Sequence, residues 1–215
     1  QTLEITGQAD NTVIVFMSDN GGIVHPDENG KPAVSNNAPL KGEKALVYEG
    51  GIRVPLMVWY PKSVKPALCD VTVDCNDIFP TLLEIGGESA LSGDGQSLLP
   101  LLADPANASG KYTRDTFFWH YPFYVSVGLK KGDLTAPRSA IRKGDWKLSL
   151  KNTRGGSVEL YNIKDDLGEK NNLVEQNPEI ASKLQEELTK LIDSGKSRPE
   201  CTTKNDTPTP KWWVK

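Results

Sequence analysis

The chain has 215 residues, 37% of them hydrophobic and 25% charged, with a formal net charge of −3. That length allows one sizeable domain or one and a half small ones, and the composition is ordinary for a globular protein. The acidic balance argues against nucleic acid as the main partner, and no apolar run approaches the ~20 residues of a membrane span.

Gln1 stands where a Met would normally open a chain, which reads as a processed, cleaved or truncated start. Residues 1–12 are polar and resemble the tail of a loop or helix that begins upstream. Val13-Ile14-Val15-Phe16-Met17 then stops abruptly at Ser18-Asp19-Asn20-Gly21-Gly22. An apolar run of β-branched and aromatic residues bounded by turn formers predicts a strand buried on both faces, as in a parallel sheet. Ligands of open α/β sheets sit just past the strands' carboxyl ends, and Asp19 and Asn20 occupy that end. Both offer oxygen, the ligand atom of a hard divalent cation such as calcium or magnesium. A plain Asx turn is the alternative for the same residues.

Residues 23–38 form a long polar segment holding His25, Asp27, Glu28, Asn36 and Asn37, longer than most connections in compact domains. A second buried-type strand, Leu56–Tyr60, is closed by Pro61, with Trp59 and Tyr60 expected in the core. Asp74 to Ile85 predicts a helix: Asp74 can cap it, Ile78, Leu82 and Ile85 recur at helical spacing, and Gly86-Gly87 ends it. Pro80 predicts a kink or a late start. Residues 92–103 predict a turn and a short helix, and 105–110 a surface loop.

From Thr113 the texture changes to short alternating segments, 116–121, 139–142, 146–151 and 158–163. Lys143-Gly144-Asp145 and Arg154-Gly155-Gly156 between them are hairpin-type turns. This predicts an antiparallel meander. Asn177-Pro178 opens a helix whose Ile180, Leu184, Leu188, Leu191 and Ile192 form one apolar stripe, with Gly195 past its end. That helix is expected to cover the meander. The tail, 197–215, is Thr/Pro/Lys-rich and reads as extended, with Trp212-Trp213 expected to dock. Cys69 and Cys75 are close enough for a small disulfide loop, whereas Cys201 is alone. None makes a C-x-x-C pair and no His cluster accompanies them, which argues against zinc. Asn107-Ala108-Ser109 and Asn205-Asp206-Thr207 fit the glycosylation sequon.

Three stretches in order carry a resemblance: Ser18-Asp19-Asn20-Gly21-Gly22, Asn37-Ala38-Pro39-Leu40-Lys41-Gly42-Glu43-Lys44, and Glu49-Gly50-Gly51-Ile52-Arg53-Val54-Pro55. Together they resemble the second half of a formylglycine-dependent sulfatase of the alkaline-phosphatase-like superfamily. Phe118-Trp119-His120-Tyr121-Pro122, the run Ser139 to Leu148 and Glu159-Leu160-Tyr161-Asn162-Ile163 resemble the C-terminal subdomain of arylsulfatase-like members. The resemblance implies an α/β fold: part of an alkaline-phosphatase-like mixed sheet with flanking helices, then a small antiparallel sheet packed by a helix. Residues 1–112 would be the C-terminal part of the catalytic domain, 113–196 the β subdomain and 197–215 the extended tail.

The resemblance also implies roles. Asp19 and Asn20 match calcium ligands, Lys44 matches a lysine that contacts the substrate sulfate, and His120 matches a histidine near the substrate in some members, although on an aromatic strand it reads equally as a hydrogen-bonded core histidine. Glu49 to Arg53 match a stretch that supports the site; read as residues, Glu49 and Arg53 are expected to be an internal ion pair or loop support and not catalytic groups. The expected nucleophile is a formylglycine made from the Cys or Ser of a C/S-x-P-x-R motif, and none of Cys69, Cys75 or Cys201 stands in such a motif. The expected partners are therefore an upstream N-terminal half and a sulfated sugar or aryl sulfate, and the chain alone is expected to be inactive. Family habit points to an exported compartment: secreted, periplasmic or lysosomal. The family usually has arginine where Lys41 stands and a small residue where Glu43 stands. Glu43 could draw the Lys44 ammonium away from sulfate or simply face solvent, and His25, in the variable loop, could touch substrate although nothing in the sequence fixes it. Two alternatives remain open: a phosphate ester or phosphodiester hydrolase of the same superfamily, and a non-catalytic module binding anionic glycans through Lys41, Lys44 and the loop.

Overall fold

The structure, a computed structural model, describes residues 1–26, 29–31, 33, 35–89, 93–105, 111–121, 138–151 and 156–194. Asp27, Glu28, both sequons, Arg154-Gly155, Gly195, Cys201 and the tail with Trp212-Trp213 lie outside the described residues. The chain forms two compact units, one of Gln1–Met17 with Pro55–Asp115 and one of Ser18–Val54 with Thr116–Lys215.

The first unit opens with helix α1 (Thr2–Ile5) and strand β1 (Ile14–Met17). β1 pairs antiparallel with a strand at Leu56–Trp59. This corrects the expectation of a strand buried on both faces in a parallel sheet. Ile14 faces Trp59 and Phe16 faces Met57 across the ladder, and these four side chains are 44, 39, 55 and 59% exposed. Trp59 is therefore not core among the described residues. A two-stranded ribbon has only marginal stability of its own.

Asp74 caps the next segment as the sequence predicts. Its carboxylate accepts from the Asn76 N–H at 2.8 Å, and its own N–H donates to Asp77 at 2.8 Å, a reciprocal capping box. A 3₁₀ turn at Cys75–Asp77 comes first, so the α-helix begins only at Ile78 and Pro80 falls in its first turn. In the first turn no intrahelical N–H bond is lost to the proline ring. Asp77 is fully buried and accepts from Tyr112 Oη at 2.9 Å, Gln96 N at 2.8 Å and Arg114 Nη1 at 2.8 Å. A carboxylate can be buried when donors surround it in this way. The adjoining core is Leu98, Leu101 and Tyr112, with Leu56, Val73, Ile78 and Leu102 against it; Leu101 belongs to a short helix at Leu99–Ala103. Cys69 and Cys75 are both exposed free thiols, so the expected disulfide loop is not formed.

In chain order the helices are thus α1, α2 (Glu49–Ile52, in the second unit), α3 (Ile78–Ile85), α4 (Leu99–Ala103) and α5 (Pro178–Asp193). The Leu56–Trp59 strand is β2, and the meander strands are β3 (Thr116–Tyr121), β4 (Arg138–Lys143), β5 (Trp146–Lys151) and β6 (Val158–Asn162). The meander is the frame of the second unit, its strands lying side by side in chain order and all antiparallel. β4 and β5 turn on Gly144-Asp145, where Gly144 has φ 57°, a left-handed value that glycine adopts without steric cost. Side-chain alternation gives the sheet two faces. On one, Ile141, Leu148 and Leu160 meet Ala181, Leu184 and Leu188 of α5, as the apolar stripe predicts. The helix begins at Pro178 after Asn177, and Glu186 and Lys190 pair on its exposed side at 2.6 Å.

On the other face lie Phe117, Arg142, Lys147 and Tyr161 in one row across the strands. Residues 39–54, grouped by the sequence with the first segment, pack against this face: Tyr48 meets Tyr161 and Ile163, and Glu49 meets Lys147. Lys147 is wholly buried, 2.8 Å from Glu49 and 2.9 Å from Glu169. Burial pushes the Glu169 carboxyl up against the pull of Lys147, whereas at Glu49 the charges of Lys147 and Arg142 and the bond from Arg53 outweigh burial and hold it low. Removing one partner of a buried ion pair leaves an uncompensated charge, at a cost of about 3–5 kcal/mol. Lys147→Met is therefore expected to lower the stability of the natural protein by about that amount. Urea unfolding checks this, and a loss no larger than that of an exposed lysine would contradict it.

Candidate functional site

The three stretches that carry the sequence resemblance are held together by backbone passing backbone, with Asn37 at the centre. Its Nδ2 lies 2.8 Å from Gly22 O, 3.1 Å from Gly50 O and 3.2 Å from Gly42 O, and its Oδ1 accepts from the Gly22 N–H at 3.2 Å. One side chain thus touches all three stretches. Gly21 N–H donates to Gly51 O at 3.0 Å, Gly50 N–H to Lys41 O at 2.7 Å and Lys44 N–H to Gly22 O at 3.3 Å. A Cβ at Gly21 would stand 1.8 Å from Gly50 O, and one at Gly51 would stand 2.1 Å from Leu46 O. No side chain fits there, and that is why these positions are glycine.

This clamp fixes where the predicted site residues emerge. Asp19 is exposed and Asn20 half-buried, both one turn from the Gly21–Gly51 bond. Ser18 Oγ donates to the Asn20 carbonyl at 2.9 Å, shaping that turn. Lys44 is exposed, its backbone tied to Gly22. Ala45 next to it has φ 70°, a left-handed value that is strained for a residue with a Cβ. The clamp therefore brings Asp19, Asn20 and Lys44 onto one scaffold.

His120 is placed differently. It sits on β3 opposite Ser139, with Nδ1 2.7 Å from Ser139 Oγ. Strand alternation puts it in the row of Ser139, Leu150 and Val158, on the face that α5 covers, whereas Glu49 packs on the Lys147 face. Lys41 is turned inward: Nζ donates to Tyr161 Oη at 2.9 Å and lies 4.1 Å from the centre of the Tyr48 ring. Glu49 and Arg53 form the expected ion pair, at 3.2 Å.

Glu43 neither draws on Lys44 nor faces solvent. It is 8% exposed and reaches across the loop to His25, Oε2 and Oε1 lying 2.8 and 2.9 Å from His25 Nδ1. Oε2 also accepts from the Val24 N–H at 2.8 Å. Burial opposes ionisation of Glu43, but the His25 hydrogen bond and charge and the Val24 amide outweigh it and hold the carboxyl below its ordinary 4.5. Asn37, Lys147 and the His25–Glu43 pair had no signal in local sequence beyond their residue types.

A bound calcium ion takes six to eight oxygen ligands. Among the described residues no hydrogen bond occupies the Asp19 carboxylate or the Asn20 side-chain amide, and both carry the hard oxygen such an ion needs. Among the described residues there is also no group of three or more His, Cys, Asp or Glu able to hold a metal. Asp19 and Asn20 fit as part of a ligand set and not as a whole one. No helix among the described residues is long and apolar enough to cross a membrane.

Residues 42–194 match the family described as N-sulphoglucosamine sulphohydrolase, C-terminal, well over half of the chain. The chain belongs to that family. A sulfatase of Formosa agariphila is 34% identical over 218 residues, covering 96% of this chain and 35% of the relative. The crystal structure of Ps i-CgsB in complex with k-i-k-neocarrahexaose aligns with a TM-score of 0.66 at 30% identity, covering 87% of this chain and 38% of that one. A protein solved with its substrate D-glucosamine-2-N, 6-O-disulfate aligns with a TM-score of 0.62 at 29% identity, covering 91% of this chain and 36% of that one. The chain spans little more than a third of the length of these relatives. Its fold is α/β, shared with the sulfatases it matches, and Lys44, His120 and the clamp's second and third stretches fall within or beside the family region.

Because the folded Glu43 carboxyl titrates below its ordinary value, its ionised form stabilises the protein above pH 4.5, and that contribution is lost as pH falls through the folded value. Urea midpoints of the natural protein are expected to drop on the acid side of pH 4.5, and to drop less in Glu43→Gln. Parallel acid profiles for the two proteins would contradict this.

Proposed function

We propose that this chain is part of a sulfuric ester hydrolase acting on a sulfated carbohydrate, and that it supplies the cation ligands and the sulfate-binding ammonium of the active site. The observation that carries the proposal is the Asn37 clamp, which gathers Asp19, Asn20 and Lys44 in a member of a sulphohydrolase family. In this reading Asp19 and Asn20 hold one side of a calcium ion. The ion, when bound, would supply fixed positive charge where the ester oxygens become more negative. Lys44 binds the sulfate from its place on the clamp, and its ammonium is preorganised for the charge that builds on the transferring group. Glu43 is bonded to His25 and, among the described residues, forms no ion pair with Lys44. His120, bonded to Ser139, braces β3.

The C/S-x-P-x-R motif is absent from these 215 residues. The formylglycine and the remaining cation ligands are assigned to an upstream half, and residues 1–215 alone are inactive in this reading. The apolar face of Ile14, Phe16, Met57 and Trp59 is the surface that half would cover. The carbohydrate assignment is supported by the family's N-sulphoglucosamine description and by the disulfated glucosamine named as the substrate of one structural relative. The inward Lys41 counts against a glycan-binding module built on Lys41 and Lys44.

The test is sulfate release by the natural full-length protein. Loss of one preorganised electrostatic group costs about 10²–10³ in kcat, so Lys44→Ala should fall by that factor with the fold intact. Asp19→Ala should shift the calcium dependence to higher concentration. Unchanged turnover in both variants would exclude these roles.

A further inference from the structure

We propose that His25 is a substrate-positioning residue, which reads a hydroxyl of the sulfated sugar through Nε2 while Glu43 fixes the ring. The inference rests on the sulfatase reading and goes beyond it, because it assigns the sugar contact to a residue of this chain.

Glu43 is the anchor of the His25 ring. A carboxylate with 11% of its side chain exposed takes the ring Nδ1 at 2.8 and 2.9 Å together with the Val24 and His25 backbone amides at 2.8 and 3.3 Å. An ionised carboxylate only accepts hydrogen bonds, so in the neutral ring Nδ1 carries the proton and Nε2 carries the lone pair. The anchor sets both tautomer and ring direction, as the second partner of a working histidine usually does. The ring keeps a quarter of its side-chain surface exposed. Glu43 adjoins Lys44, whose N–H holds Gly22 O, and Gly22 follows the Asp19-Asn20-Gly21 turn. The ring is thus tied to the same few backbone segments that position the candidate cation ligands and ammonium.

The chemistry decides what Nε2 can read. In the neutral ring Nε2 presents a lone pair, which sulfate oxygens, themselves only acceptors, would repel. A sugar hydroxyl donates a hydrogen bond. Lys44 and His25 therefore divide the substrate between them, the ammonium taking the anion and the imidazole a neighbouring hydroxyl. An aryl sulfate has the first group and lacks the second.

The experiment uses the natural full-length protein with 4-nitrophenyl sulfate and a panel of monosulfated hexosamines and galactoses. His25→Asn keeps an amide nitrogen where Nδ1 bonds Glu43 and removes Nε2; His25→Gln restores a polar group near the Nε2 position. On the best sugar sulfate, His25→Asn should raise KM about tenfold, one lost hydrogen bond, with kcat changed far less. On 4-nitrophenyl sulfate its KM should stay within about threefold, and His25→Gln should recover part of the sugar loss. Equal losses on both substrate types, or none on either, overturn the assignment of His25. Absence of sulfate release by the unsubstituted protein from every substrate instead overturns the sulfatase reading, and the inference with it.

Discussion

A lysine sealed from water joins the candidate site to the sheet. Lys147, the second residue of β5, holds Glu49, the first residue of the glycine turn, and Glu169 beyond β6. Glu169 in turn accepts the Glu49 backbone N–H at 2.7 Å. The turn at Glu49–Gly51 is therefore not a loop in solvent but an extension of the meander's inner face. Charges that would be costly to bury singly are tolerable here because each has an opposite partner and a hydrogen bond. Everything proposed for the site depends on that turn being fixed, since Gly50 and Gly51 are what Asn37 and Gly21 lean against.

The site is built by successive transfers of position. The sheet, stiffened by α5 on its far face, fixes Glu49 through Lys147. Glu49 fixes the glycines, the glycines and Asn37 fix Gly22 and Gly42, and those carry Asp19, Asn20 and Lys44. Functional side chains on loops gain precision when a rigid element sets the loop backbone. The exposed side chains need no packing of their own, and they can be exposed because their backbones are not free.

Local features of the sequence identified the elements well. β3 and β5 begin and end where alternation and the Lys143-Gly144-Asp145 turn place them, and α5 follows its apolar stripe. Asp74 caps as expected, with the α-helix starting late and Pro80 in its first turn. What local sequence could not carry was partnership across the chain. Lys147 and Glu49 are 98 residues apart, Lys41 and Tyr161 are 120 apart, and Asn37 and Gly22 are 15 apart. A lysine on an alternating strand reads as solvated until its partner is known. The Val13–Met17 run likewise shows that a strand is apolar without showing which way its neighbour runs, and the neighbour is antiparallel. Glu43 stands next to Lys44 in sequence, whereas its bond is to His25, 18 residues away.

The most direct measurement is a crystal structure of the natural full-length protein grown with calcium and inorganic sulfate. The account predicts one cation with oxygens of Asp19 and Asn20 at about 2.3–2.6 Å, completed by ligands from upstream sequence. It also predicts a sulfate ion in contact with the Lys44 ammonium beside that cation. A cation bound elsewhere, with Asp19 and Asn20 turned away from it, would contradict the account.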